Sequence, residues 1–294
     1  MLVEVLLRLA IIVSGMLVVA TALVLRSDNR LGSWAAYCDR LEATLPYVVL
    51  LGIILVANKI ARDIGPELSW IIGFHITETL YRIDGLLLWP LNPSNPPQVV
   101  TFLQSYATPG MTMYFSYVYV YGYVFMLIFP FVAYFVLNPP EPLRRTIVAY
   151  AANYLIGVTC YVIFVAQGPR NRIPGEVRGL MYEADSFAAY QFLTSSINAN
   201  VNVFPSLHTS LAVTVALLAW TTREEYPLWF VISTVLAASV VFATMYLGIH
   251  WAADVLAGIA LAWVSVRIGK RYEDRPPRLD SIRRRYERAM PARG

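Results

Sequence analysis

The sequence predicts an all-α polytopic membrane helix bundle, and three observations carry that expectation. Apolar residues make up 57% of the chain and charged residues only 14%, against about 25% charged in soluble domains. The mean hydropathy is +0.55 over 294 residues. Several apolar stretches also approach the roughly 20 residues that cross a bilayer as a helix.

Taken in order, seven spans are expected, near residues 5–25, 44–61, 112–137, 146–166, 205–221, 227–247 and 250–268. The first has the look of a signal peptide. However, Arg8 interrupts it, and Leu25, Arg26 and Ser27 follow its core where small residues would mark a cleavage site. It is read as a retained span. Between the second and third spans, residues 62–111 carry a helical stripe at Leu80, Ile83 and Leu87, then prolines at 90, 93, 96 and 97. They are read as helices on or dipping into the outer interface. Glu78, Arg82 and Asp84 speak against two short spans there, and Asp63, Glu67 and Glu78 read as a solvated face.

The third span holds Tyr117, Tyr119, Tyr121 and Tyr123, an alternation that would suit a strand. A lone strand in lipid leaves its backbone groups unpaired, so a helix is expected, with tyrosines for packing and an interfacial belt. Residues 1–111 are grouped as N-terminal spans and interfacial helices, 112–268 as the bundle that carries the motifs, and 269–294 as a basic tail. Leu279, Ile282, Tyr286 and Met290 have helical spacing in that tail, which reads equally as an interfacial helix or as a solvated segment.

The net charge of +4 belongs to the tail, where Lys270–Gly294 holds nine Lys/Arg and four Asp/Glu. Basic residues also concentrate in the loops near 26–43, 138–145 and 222–226. The positive-inside rule then puts these loops and the C-terminus in the cytoplasm and the 167–204 loop outside. That charge suits an anionic membrane surface. No base-reading motif accompanies it, so no nucleic-acid partner is expected. No glycine-rich phosphate loop is present, which removes support for nucleotide chemistry. Cys38 and Cys160 form neither a disulfide framework nor a zinc spacing. The oligomeric state has no signature in the sequence.

Two motifs hold two of the three histidines. Phe204-Pro205-Ser206-Leu207-His208 opens the fifth span, and Thr244-Met245-Tyr246-Leu247 precedes His250 and Asp254. Both histidines fall at the outer face under the orientation above. His250 and Asp254 are four apart, so on a helix they share a face. The carboxylate can fix one ring nitrogen and leave the other as nucleophile or base. An acid inside an apolar run is itself a functional candidate. His208 follows a helix-starting proline, where free amides attract anions and a histidine suits a general acid. Ser206 can cap the helix or meet phosphate oxygens. Arg170 and Arg172, between Pro169 and Pro174, suit fork-like contacts to phosphate. His75 is read as an interfacial residue without a catalytic role. A His/His/Asp zinc site is chemically conceivable but not favoured. A lipid or ion transporter using intramembrane charge is the alternative class; no inverted repeat supports it.

On these motifs the chain resembles the type 2 phosphatidic acid phosphatase superfamily over roughly residues 112–268. Within it, the chain is most similar to the branch containing inositol phosphorylceramide synthase. That branch has Phe-Pro-Ser-Leu-His where lipid phosphatases have Pro-Ser-Gly-His, and Thr-Met-Tyr-Leu before its last histidine. The resemblance implies that His250 is a nucleophile forming phosphohistidine and that Asp254 orients it. It also implies that His208 protonates the leaving group and later deprotonates the acceptor. It implies a lipid phosphate substrate in an integral membrane setting (plasma membrane or equivalent), an acceptor that is water or a polyol such as inositol, and no metal or other cofactor. Two cationic slots of the phosphatase pattern are absent. Ala243 and Thr244 stand where Ser-Arg is expected, and Ile163 stands in a lysine slot if Arg170 is the family's arginine. This favours the transferase-like branch. Met181, Tyr182 and Phe187 in the 167–203 loop could cover an acceptor site.

Overall fold

The computed structural model describes residues 2–24, 34–94, 96–136, 141–183 and 202–273. The tail helix expected at 279–290 and the loop residue Phe187 lie outside them, as does the side chain of Tyr182. Within them the chain is helical almost throughout, as composition predicts. α1 is Leu2–Val24 and α2 is Trp34–Ile72, followed by α3 at Thr77–Leu87 and α4 at Val99–Gln104. α5 (Pro109–Tyr117) runs through a π-helical turn at Val118–Gly122 into α6 (Tyr123–Val136). α7 is Glu141–Ile163, α8 is Pro169–Arg172 and α9 is Leu180–Glu183. α10 (Leu207–Thr221), α11 (Pro227–Tyr246) and α12 (Ala252–Glu273) complete the order.

Among the described residues, five helices are long and apolar enough to cross a membrane: Val3–Val24, Pro109–Phe135, Glu141–Ile163, Pro227–Tyr246 and Ala252–Tyr272. The other two expected spans, Thr44–Ile60 and Leu207–Thr221, are apolar helices of lesser length. The alternating tyrosines are helical, as the length argument requires. Two boundaries differ from expectation. α2 continues through residues 62–72 instead of ending near 61, and the helix runs on past Gly65 and Pro66, residues that ordinarily disfavour a helix interior. α7 stops at Ile163, and Phe164–Val165 becomes a strand, β2, parallel to β1 at Phe74–His75. Phe74 pairs with Phe164 and His75 with Val165, and Ala166 bridges to Asn202. This small sheet joins the segment after α2 to both the end of α7 and the start of the His208 motif. Such pairings link residues far apart in sequence and leave no local pattern.

α7 packs against α2 and α12, while α10 packs against α11 and α12. Met126, Phe129, Ile147, Leu211, Val215 and Trp229 are buried at the centre. Asn153 on α7 donates to Ser210 Oγ at 2.5 Å and Thr214 Oγ1 at 3.1 Å on α10. Within a bilayer such interhelical bonds contribute about 0.6 kcal/mol each. α10 and α12 approach so closely that a Cβ at Gly258 would lie 2.6 Å from the Ser206 carbonyl oxygen. At their C-terminal ends, Arg223 lies 4.3 Å over Trp220 and Arg267 lies 3.6 Å over Trp263. Arginine stems with tryptophan rings are typical of a membrane–water boundary. The N-terminal ends of α10 and α12 therefore share the opposite end of the bundle, and both histidine motifs sit there.

Candidate active site

Helix termini present unpaired amides, and the start of α12 shows where they go. Trp251 precedes the helix, and its N–H donates to Asp254 Oδ2 at 2.9 Å. Asp254 is thus the third residue of the helix reaching back to the cap amide, half of a capping box. It is fully buried. The same Oδ2 lies 3.5 Å from His250 Nδ1, and Oδ1 makes no hydrogen bond. Nδ1 makes no hydrogen bond either, so the carboxylate faces that nitrogen without bonding it, and Nε2 is the ring nitrogen farther from Asp254.

His250 lies in the loop between α11 and α12 and is 4% exposed. Ile249 and His250 both donate their amides to the Thr244 carbonyl at 3.0 Å. The chain reverses at Gly248, whose φ of 76° is open to glycine at little cost. Burial drives the His250 imidazole down to about 3, and the charge of Arg170 adds to this, against a hydrogen bond with the Val203 backbone. His250 is therefore neutral at physiological pH, the form in which a ring nitrogen carries a free lone pair.

His208 opens α10, which Ser206 caps by accepting from the Thr209 amide at 3.3 Å. Ser206 is fully buried and also donates to Thr209 Oγ1 at 3.0 Å. The His208 ring stacks on Tyr119 at 4.6 Å and 26° and meets Tyr123 at 4.6 Å and 42°. Tyr119 lies within the π-helical turn and Tyr123 directly follows it, and such turns often mark functional sites. The His208 and His250 centroids are 6.4 Å apart. That is too far for a mutual hydrogen bond.

The two arginines separate. Arg170 is close enough to act on His250 electrostatically, and its Nη1 is buried. Arg172 points to α3, with Nη2 2.9 Å from Glu78 Oε2 and its guanidinium 5.5 Å over Tyr81. His75 is exposed on β1. Met181 is buried in the cluster that holds Tyr246 and Leu247. The structure thus brings together His208, His250, Asp254 and Arg170, keeps Ser206 on the cap, and turns Arg172 outward.

Four residues near the site escape sequence reasoning. Tyr119 and Tyr123 stand out in sequence only as part of an aromatic run. Asp84, which reads as an interruption of an apolar stripe, is fully buried. It accepts from the Ala252 amide at 2.6 Å and the Val99 amide at 2.8 Å. Burial pushes its carboxyl up to about 6, against those two bonds. Gln104 donates through Nε2 to the carbonyls of Tyr246 and Arg178, both at 2.9 Å. A carboxylate inside a helical apolar stripe was the available signal for Asp84; Gln104 offered none.

Residues 95–268 match a family model described as PAP2 superfamily. No curated protein and no solved structure matches the chain.

Proposed function

The chain belongs to the PAP2 superfamily, and on that premise we propose that it is an integral membrane lipid phosphatase or phosphotransferase working through phosphohistidine. Membership points to phosphatase-type chemistry. The observation that best supports the finer reading is a neutral, buried His250 with Asp254 3.5 Å from Nδ1 and the His208 ring 6.4 Å away between centroids.

In the first step the His250 Nε2 lone pair attacks phosphorus and the bond to the leaving oxygen breaks. His208 supplies the proton that oxygen needs. Asp254 stabilises the charge that develops on the His250 ring. Arg170 balances the phosphoryl oxygens. In the second step His208 takes a proton from water or an alcohol, that oxygen attacks phosphorus, and the P–N bond breaks to restore His250. Ser206 contributes through the cap that orients the start of α10. We favour the branch resembling inositol phosphorylceramide synthase, with a polyol such as inositol as acceptor, because of Phe204–His208 and Thr244–Asp254. We place the reaction at the non-cytoplasmic face, on the distribution of Lys/Arg.

The test is turnover by purified protein of a panel of lipid phosphates and phosphoesters, with and without inositol. His250→Gln should abolish turnover and a base-stable, acid-labile phosphoprotein. Turnover that survives His250→Gln would sink the mechanism. Release of inorganic phosphate alone would assign water as acceptor, and a new phospho-alcohol would assign transfer.

A further inference from the structure

The loop that carries His250 is short, and both its ends are held by residues from outside the α10–α12 bundle. At its C-terminal end, Ala252 is the first residue of α12, two positions after His250 and two before Asp254. Its amide donates to Asp84 Oδ1 at 2.6 Å. The other oxygen of the same carboxylate accepts from the amide of Val99, the first residue of α4, at 2.8 Å. One buried carboxylate thus ties α3 to the starts of two helices, where the positive ends of their dipoles favour a negative charge. At the N-terminal end, Gln104 at the close of α4 donates to the Tyr246 carbonyl at 2.9 Å, on the last residue of α11. Gln104 also receives the Arg178 amide at 2.9 Å and returns a bond to the Arg178 carbonyl at 2.9 Å. That segment borders Gly248, where a Cβ would lie 2.8 Å from the Arg178 oxygen.

We propose that α3 and α4 clamp both ends of the His250 loop, with Asp84 and Gln104 as positioning residues for the His250–Asp254 pair. The proposal rests on the reading of His250 as nucleophile for its catalytic consequence, but not for the clamp itself. Asp84 lies outside the residues that the family match covers, while Gln104 and the loop it holds lie within them. Neither side chain contacts the histidines. Each acts by fixing backbone, and a shift of the first turn of α12 changes the 3.5 Å separation of His250 and Asp254 directly. Burial also makes an ionised Asp84 unfavourable to the fold at neutral pH.

Two readouts test the clamp, on Asp84→Asn and on Gln104→Leu, in the full chain. The first is amide exchange of the segment 246–254, which needs no substrate. Both variants should speed it by about tenfold or more, as a local opening of low free energy does. The second is turnover of vesicles of phosphatidylcholine and phosphatidic acid. There kcat should fall about 10- to 100-fold, as a small misplacement of a reacting group does, with KM within about twofold, since no substrate contact is lost. Unchanged exchange in both variants overturns the clamp. Faster exchange with unchanged kcat overturns the positioning role. A wild-type protein without any turnover of lipid phosphates would instead bring down the proposed function, while the exchange result would still decide the clamp. If Asp84→Asn does not fold, Gln104→Leu carries both measurements alone.

Discussion

Gly248→Ala perturbs the His250 loop without touching a reacting group. Gly248 has φ 76°, and an L-residue with a Cβ in that region is strained by roughly 1–2 kcal/mol. The new Cβ would also lie 2.8 Å from the Arg178 carbonyl oxygen, 2.8 Å from Val177 Cγ1 and 3.2 Å from Gln104 Nε2. The first two contacts are closer than real carbons approach, so the 177–178 backbone must move. Its hydrogen bonds with Gln104 then weaken, a further loss of about 1 kcal/mol. Together these give roughly 2–3 kcal/mol of local destabilisation. A displacement near 1 Å at His250 lowers turnover by about 100-fold. Thermal unfolding in detergent and phosphate release from phosphatidic acid vesicles measure the two effects. Gly52→Ala is the control: nothing lies within 4 Å of its added Cβ, and it sits inside α2. Alanine is favoured over glycine in a helix by about 1 kcal/mol, so this variant should match or exceed wild type. If Gly248→Ala unfolds and turns over like wild type, the loop is not held as described and the reasoning fails.

Three further outcomes are expected. The rings of Tyr119 and Tyr123 pack on His208, a kind of contact worth about 0.5–1.5 kcal/mol, so Tyr→Leu at either position should lower kcat by up to about tenfold while Tyr→Phe keeps it; equal losses in the Leu and Phe variants would point to the hydroxyls instead. Arg170→Gln should cost about 100-fold or more in turnover, as loss of a group on the developing charge does. Arg172→Gln should leave turnover within about twofold, since its partly exposed pair with Glu78 contributes roughly 0–1 kcal/mol; a reversed order would exchange their roles. For pH, His250 is held down to about 3 from an ordinary 6.5, so the folded chain binds this proton less readily and stability falls as pH drops through that window. Asp84, raised to about 6 from 3.8, works oppositely and adds stability as pH falls through 6. His250→Gln removes the first effect alone, so unfolding temperatures measured from about pH 6 to about pH 4 should fall less in the variant than in wild type; a steeper fall would contradict the burial of His250.

The contrast between what the sequence disclosed and what it concealed follows the range of the interactions. Apolar runs and their length identify helices because a bilayer leaves the backbone no other partner. His250 and Asp254 were legible as a pair from their spacing, although they meet differently from the expected shared helix face: His250 lies in the loop and Asp254 reaches back to it from the first turn of α12. His208 was legible because a proline and a serine mark a helix start. The separation of Arg170 from Arg172 was not legible. Two residues apart, both flank the same turn, and only the placement of α3, with Glu78 and Tyr81, draws Arg172 away. Asp84 meets Ala252 across 168 positions. Its role depends on how α3 docks, which no local spacing records. The strand pair β1–β2 was hidden for the same reason, and the continuation of α2 to Ile72 was hidden because its charges resemble those of a loop.

The distribution of charge at the two helix starts also bears on where an anion can bind. A free helix N-terminus is an anion site, and both α10 and α12 begin beside the histidines. At α12 the Trp251 amide is already taken by Asp254 and the Ala252 amide by Asp84. A phosphate approaching that end meets two carboxylates. The α10 side carries no such acid in its first turn, since Leu207, His208, Thr209 and Ser210 are all uncharged or basic. Arg170 supplies a full positive charge close to His250. A phosphoryl group is therefore expected between the start of α10 and Arg170, with His250 on one side and His208 on the other. Under the proposed mechanism this order suits in-line transfer: His250, in the loop before the acid-lined helix start, is the nucleophile, and the leaving oxygen departs toward His208 beside Tyr119 and Tyr123. Removing the arginine charge tests it. Arg170→Gln should weaken orthovanadate inhibition by about tenfold or more through the loss of a short-range attraction, and unchanged inhibition in a folded variant would move the anion away from Arg170.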